Sequence, residues 1–226
     1  MTPPAPQKKL AIDVVSDVVC PWCYIGKRRL EAALASLPDL PVEVRWRPFQ
    51  LDPTIPAGGI DRRAYMEKKF GAERYREISA QISATGTEVG IAFAFADIKR
   101  APNTLDAHRL IRWAETAGVQ GAVKEHLMRL FFVEGGDIGD REVLVGVARA
   151  HGMDAAVVAR LLNEGTDIDA VREEIISAQK LGISGVPFFI LAGQLGISGA
   201  QTPEVLRSAI LEAVALAAQA TDVKAT

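Results

Sequence analysis

Only two cysteines occur in the chain, and they lie three positions apart in Cys20-Pro21-Trp22-Cys23. Thiol–disulfide exchange needs an attacking thiolate, a second thiol near enough to resolve the mixed disulfide, and access for an incoming sulfur. A Cys-x-x-Cys pair at the start of a helix meets all three needs. The helix dipole and the free N–H groups of the first turn favour negative charge on Cys20. Motifs of this kind bring a nucleophilic thiol from about 8.5 into a range of roughly 3.5–7.5. Cys23, one turn further in, is expected to be the more buried, resolving thiol. Pro21 and Trp22 set local geometry and hydrogen bonding, and through them the redox poise. Structural zinc also uses this spacing, but it takes four ligands. With no second cysteine pair and no His-x3–5-His segment, a metal site within one chain is not expected.

A strand–turn–helix must hold these residues. Leu10-Ala11-Ile12-Asp13-Val14-Val15 is apolar and β-branched, as a buried strand requires. Beyond the cysteines Ile25, Leu30, Ala33, Leu34 and Leu37 recur at helical spacing, and Pro38 stops the helix. Pro21 fits its first turn. Lys27, Arg28 and Arg29 read as a solvated face of that helix. Val42, Val44 and Trp46 alternate with Glu43, Arg45 and Arg47, giving a half-buried strand that ends at Pro48. A right-handed crossover makes these two strands parallel.

The middle of the chain changes character. Asp61 to Ala84 is polar and long-periodic, and Gly90 to Phe95 is a short apolar piece of unassigned type. Helices are predicted over Asn103–Ala117, Gly121–Val133, Arg141–His151 and Asp154–Asn163, with Asn103, Asp140 and Asp154 as N-caps. Asp167–Leu181 is a further helix. Phe188–Leu191 reads as a strand, followed by a hairpin-like turn and Leu195-Gly196-Ile197. A last helix, capped by Thr202, runs to about Ala218, with a loose tail from Thr221. This is the element order of an α/β thioredoxin fold interrupted by an all-helical insertion. The two parts of the thioredoxin fold are expected at 8–55 and 166–220, and the insertion at 56–165.

Composition removes several function classes. With 26 basic against 28 acidic side chains, the chain lacks the basic surplus of an electrostatic nucleic-acid binder. No apolar run reaches the roughly 18 residues of a membrane span. Met1 to Lys9 holds three prolines and no apolar h-region, so a secretory signal is not expected and the cytoplasm is the expected compartment.

Cys20-Pro21-Trp22-Cys23-Tyr24-Ile25-Gly26-Lys27 resembles the active-site signature of the DsbA-like thioredoxin superfamily, in particular its FrnE-like branch. Trp46–Leu51, Asn103-Thr104 with Ala107–Leu110, Phe131-Phe132 with Glu134-Gly135, Gly185–Phe188 and Ser198–Gln201 are similar in the same order. The likeness spans about residues 8–218. It implies a dithiol–disulfide oxidoreductase or isomerase acting on protein disulfides through Cys20 and Cys23. No bound cofactor is implied. The implied partners are thiol- or disulfide-containing proteins and either glutathione as co-substrate or a reductase, and a homodimer is compatible with the family.

The resemblance also implies a cis Pro187 facing Cys20, with Val186 lining a peptide groove; an ordinary trans proline opening a strand is the alternative. Asp13, in an apolar strand under the motif, matches a buried acid that moves the resolving proton, or else is a strand-end carboxylate in water. His108 either faces the active-site cleft or is a surface or capped histidine. Some FrnE proteins carry extra cysteines near the C-terminus; this chain has none, which excludes a second redox pair. Kappa-class glutathione transferases and hydroxychromene-carboxylate isomerases share the fold but have serine where Cys20 stands. A glutathione-dependent transferase or isomerase is therefore the alternative, with Trp46, Asn103 and His108 as its pocket. A non-catalytic accessory role would require an unreactive Cys20.

Overall fold

Strand β1 (Leu10–Ser16) feeds through a short turn into α1 (Pro21–Ala35). The computed structural model describes residues 9–224. After α1 come β2 (Val42–Pro48), β3 (Ile60–Asp61), α2 (Arg62–Phe70), α3 (Ala72–Glu88), β4 (Arg100–Ala101), α4 (Leu105–Thr116) and α5 (Gln120–Phe132). The chain continues with α6 (Arg141–Ala150), α7 (Ala155–Glu164), α8 (Ile168–Lys180), β5 (Phe188–Leu191), β6 (Leu195–Ser198) and α9 (Pro203–Lys224). The Met1–Lys9 segment, Lys9 apart, lies outside the described residues.

β1 pairs with β2 in parallel, as the crossover rule requires, and with β5 antiparallel; β6 completes the order β2-β1-β5-β6. The result is the α/β thioredoxin fold with a helical insertion. Side-chain alternation sorts β1 onto two faces. Ile12 and Val14 join Phe189, Leu191, Ile25 and Ile210 in the main core, while Val15 joins Ala178 and Ile183 in a smaller cluster under α8. The main core runs without a break into the insertion through Leu110, Leu127, Met128 and Phe132.

An aromatic cluster fastens α1 to that insertion. The Tyr24 ring stacks on Phe132 at 6.1 Å and meets Phe93 edge-on at 6.2 Å, and Phe93 stacks on Phe95 at 4.9 Å. The apolar piece Gly90–Phe95 is neither helix nor strand. It is a plug held by the Ala94 N–H, which donates to the Phe132 carbonyl at 2.8 Å. Gly86 makes room for it, since a Cβ there would lie 2.4 Å from the Phe93 ring.

Local details differ from the sequence reading for identifiable reasons. The polar stretch from Asp61 splits into α2 and α3 at Gly71, whose φ of 80° only glycine adopts cheaply. The insertion is not purely helical, because Ile60–Asp61 and Arg100–Ala101 form a short antiparallel ladder. The last helix continues to Lys224 rather than ending near Ala218.

The Lys27–Arg29 face is not solvated. Lys27 is buried and pairs with Glu31 and with Glu125 of α5 at 2.7 Å, while Arg29 donates to the Ala200 carbonyl at 2.6 Å. Long cationic stems bury readily when their heads find acceptors, and periodicity alone does not reveal those acceptors.

Phe132 is fully buried at the centre of the aromatic cluster. Phe132→Ala is expected to cost about 3–5 kcal/mol in chemical denaturation, the range for a large cavity. A loss below ~1 kcal/mol, ordinary for a surface change, would show that the cluster does not hold α1 to the insertion.

Candidate active site

Helix α1 starts inside the protein. Its N-cap is Cys20, in extended backbone geometry (φ −90°, ψ 113°), and Pro21 occupies the first turn. The Cys20 carbonyl accepts from the N–H groups of Cys23 (3.0 Å) and Tyr24 (3.3 Å). No side chain caps the helix by a hydrogen bond, and no acidic residue stands in its first turn. Cys20 therefore stands at the positive end of the helix with no carboxylate competing for it.

Across from it runs the loop before β5. The Val186–Pro187 peptide bond is cis, and the Cys20 thiol donates to the Val186 carbonyl at 3.6 Å. The Pro187 carbonyl in turn accepts from the Gly199 N–H at 2.8 Å. Nearly two turns below Cys20, a Cβ on Gly26 would lie 2.9 Å from Pro187 Cγ. α1 can approach this loop because residue 26 has no side chain.

Both cysteines are free thiols here, and Cys23 lies deeper, at 1% exposure against 4% for Cys20. Burial pushes the Cys23 thiol well above its ordinary value, and the hydrogen bond and charge of Cys20 push the same way. The Lys124 charge and the Asp17 backbone N–H oppose them.

A buried polar layer lies behind Cys23. The Asp17 carbonyl accepts from the Cys20 N–H at 3.2 Å. Its carboxylate accepts from the Leu51 N–H at 2.9 Å and stands 3.2 Å from His108 Nε2. Lys124, on α5, donates to Ser16 Oγ at 2.7 Å, and its ammonium sits 5.4 Å from the centroid of the Trp46 ring. Burial pulls the Lys124 ammonium down to about 8, against the attraction of Cys23, Asp17 and Cys20.

In front of Cys20 a cavity of about 430 Å³ opens under α2 and α3. Trp22 and Val186 form its near wall, and Met66, Ile78, Ile82 and Phe131 its far side. Several polar groups in the walls are satisfied by their neighbours. Tyr65 donates to Asp52 at 2.9 Å, Lys69 donates to the Tyr65 hydroxyl at 3.1 Å, and Arg62 bonds to the Tyr75 hydroxyl and, at 3.3 Å, to the Phe95 carbonyl.

Residues 11–211 match the family model for the DSBA-like thioredoxin domain. The chain belongs to this family. It is 29% identical over 200 residues to the uncharacterized protein YwbO of Bacillus subtilis, covering 88% of this chain and 94% of that one. The crystal structure of a probable DsbA oxidoreductase from Streptomyces coelicolor superposes with a TM-score of 0.84 at 33% identity, over 91% of this chain and 90% of that one. The cytosolic disulfide reductase DsbM of Pseudomonas aeruginosa, solved with GSH, shares the fold at 20% identity and a TM-score of 0.57, over 94% of this chain and all of that one.

Within this DSBA-like frame the structure groups Cys20, Pro21, Trp22 and Val186 around one cavity and sets Pro187 against α1. Four expected residues stand elsewhere. Asp13 is not a buried acid under the motif: it has the strand parity of Val15, faces α8, and is clamped by Arg45 (2.7 Å) and Arg47 (2.8 Å). Asp17 is the acid beside the cysteines.

Trp46, Asn103 and His108 do not line the cavity at Cys20. The Trp46 backbone is bonded on both sides by the Gln120 amide, and Asn103 bridges the Ile55 carbonyl and the Gln50 side chain. His108 is spent on Asp17 behind the motif. His126 and His151 bond to each other at 3.1 Å, away from the thiols.

Sequence reasoning missed Asp17, Ser16, Lys124 and the walls of the cavity. Two signals were available. Asp17 interrupts the apolar run Val14 to Val19, and Lys124 falls on the helical stripe of Val123, Leu127, Met128 and Phe131. Among the described residues, no group of three or more His, Cys, Asp or Glu side chains could hold a metal ion.

The close approach at Gly26 is testable. Alanine in mid-helix ordinarily gains about 1 kcal/mol over glycine. Here its methyl would press on the rigid Pro187 ring and, at 3.4 Å, on the Phe189 ring. Gly26→Ala is expected instead to destabilise by about 1–3 kcal/mol, as overpacking does, and to slow alkylation of Cys20. A more stable variant with unchanged alkylation would show that α1 and the Pro187 loop are not in tight register.

Proposed function

We propose that this DSBA-like protein is a dithiol–disulfide oxidoreductase of the FrnE-like type that acts on protein disulfides. The observation that carries the reading is the placement of Cys20. Cys20 is the N-cap residue of a helix, lines an apolar cavity, and has a second thiol one turn behind it.

In the reducing direction, the Cys20 thiolate attacks one sulfur of a substrate disulfide. The substrate S–S bond breaks, a mixed disulfide forms on Cys20, and the other substrate sulfur leaves as a thiolate. Cys23 then loses its proton and attacks the Cys20 sulfur. The second substrate sulfur leaves, and the Cys20–Cys23 disulfide forms. Two electrons have passed to the substrate, which takes up two protons as its thiolates become thiols. The reverse sequence oxidises a substrate dithiol. An external thiol such as glutathione restores the pair, and the proposed setting is the cytoplasm, where glutathione keeps thiols reduced.

The cavity favours a particular substrate. The hydroxyls of Tyr65 and Tyr75 and the charges of Asp52, Arg62 and Lys69 in its walls already have partners, so a polar occupant gains little from them. An apolar side chain next to the reacting cysteine of an unfolded polypeptide fits that wall. Val186 would line the peptide beside it.

The test follows reduction of a disulfide-bonded polypeptide with glutathione as reductant. Cys20→Ser is expected to fall to background. Cys23→Ser is expected to lose turnover while accumulating a substrate-linked mixed disulfide, visible by mass spectrometry. Full turnover in Cys23→Ser would reject Cys23 as the resolving thiol, glutathione then cleaving the mixed disulfide on Cys20. No disulfide turnover in the wild type would reject disulfide exchange and favour a glutathione-dependent transferase or isomerase, which needs one sulfur.

A further inference from the structure

Lys124 takes no part in the exchange steps above, yet it is a buried cation at their back wall. Its exposure is 1%, its ammonium bonds to Ser16 Oγ, and among the described residues no carboxylate comes within ion-pair distance of it. Arg109, equally buried, is a useful contrast. Arg109 pairs with Asp106 at 2.6 Å and donates to the carbonyls of Leu161, Leu162 and Thr166, so its charge is fully spent on structure. Lys124 keeps a surplus of positive charge, and its bond partner Ser16 directly precedes Asp17, whose carbonyl holds the Cys20 N–H at 3.2 Å; the charges of both cysteines act on it.

We propose that Lys124 is the buried counter-charge of the reduced centre, stabilising thiolate on the Cys20–Cys23 pair and so making the disulfide more oxidising. The proposal rests on the reading of Cys20 and Cys23 as a redox pair. Lys124 acts through space and is a positioning residue. In the disulfide form the sulfurs carry no charge and the ammonium is left with Asp17. In the reduced form a thiolate adds to that anion. Stabilisation of the thiolate by Lys124 and of the ammonium by the thiolate are the same free energy.

Other groups facing Lys124 are Cys20, Cys23 and Lys27 from α1, Asp17 from the turn after β1, and His108 from α4. Two ion pairs, Arg112–Glu174 and Arg47–Glu115, line the small cavity beside it and cancel in charge.

The experiment equilibrates the protein with glutathione redox buffers and measures the dithiol fraction. Lys124→Met, close in length and uncharged, is expected to shift the equilibrium about tenfold toward the disulfide. For a two-electron couple that is a potential about 30 mV more negative. The rate of Cys20 alkylation at neutral pH should fall with it. A folded variant with the wild-type potential, or a more oxidising one, overturns the proposal.

Should Lys124→Met not fold, the wild-type protein provides the same test. The Lys124 ammonium, followed by NMR, is expected to lose its proton at lower pH in the oxidised form than in the reduced form. Identical titrations overturn the proposal. If wild type shows no reversible dithiol–disulfide transition at all, the redox reading itself has failed, and that outcome is distinct from a wild-type transition that Lys124→Met leaves unmoved.

Discussion

A helix that begins inside a protein brings unpaired N–H groups with it, and something must face them. In this chain the residue at that end is Cys20. The surrounding structure serves to keep it there. The Asp17 carbonyl holds the Cys20 N–H, so the turn between β1 and α1 is closed at its own base. The Asp17 carboxylate holds the Leu51 N–H, which ties the same turn to the chain leaving β2. Gly26 lets α1 lie against Pro187, which brings the Val186 carbonyl to the thiol. Strands β1, β2 and β5 are neighbours in the sheet, and the contacts that fix the sulfur come from the segments at their ends.

The insertion makes the two thiols unlike. Its α5 carries Lys124 inward to Ser16, and its α2 and α3 wall the cavity that Cys20 lines. Burial disfavours the thiolate of the deeper cysteine, whereas the outer one meets the helix N-terminus. The two thiols thus differ because of what packs behind and before them, although they belong to one turn of one helix. Tyr24, the next residue, joins the aromatic cluster, so the same contact that anchors the insertion also anchors the first turn of α1.

Much of this was legible in the sequence because it is local. The strand before the cysteines, Pro21 in the first turn, the caps at Asp140 and Asp154 and the parallel crossover all depend on neighbours a few residues away. Asp13 shows where that ends. Its strand was read correctly, but period-two alternation puts it on the face of Val15, opposite α1, and the arginines that hold it come from the adjacent strand. His108 was placed on the correct helix, but its partner, Asp17, lies 91 positions earlier. Such pairings are decided by the packing of one element on another. The cavity was out of reach for the same reason: residues as far apart as Trp22, Met66, Phe131 and Val186 meet there.

One pair of neighbours on α5 shows how the packing settles the chemistry. Successive residues on a helix point about 100° apart, so Lys124 and Glu125 cannot serve the same surface. Glu125 reaches the outer flank of α1, where it accepts from the Tyr24 hydroxyl at 2.7 Å and pairs with Lys27 and Arg28. That network fixes the rotation of α5 about its own axis. With the rotation fixed, Lys124 has one direction left, inward toward Ser16 and the cysteines. The partly exposed carboxylate and the buried ammonium are therefore coupled through the helix that carries both. An ion pair that would contribute little as a surface feature determines here which charge faces the thiols.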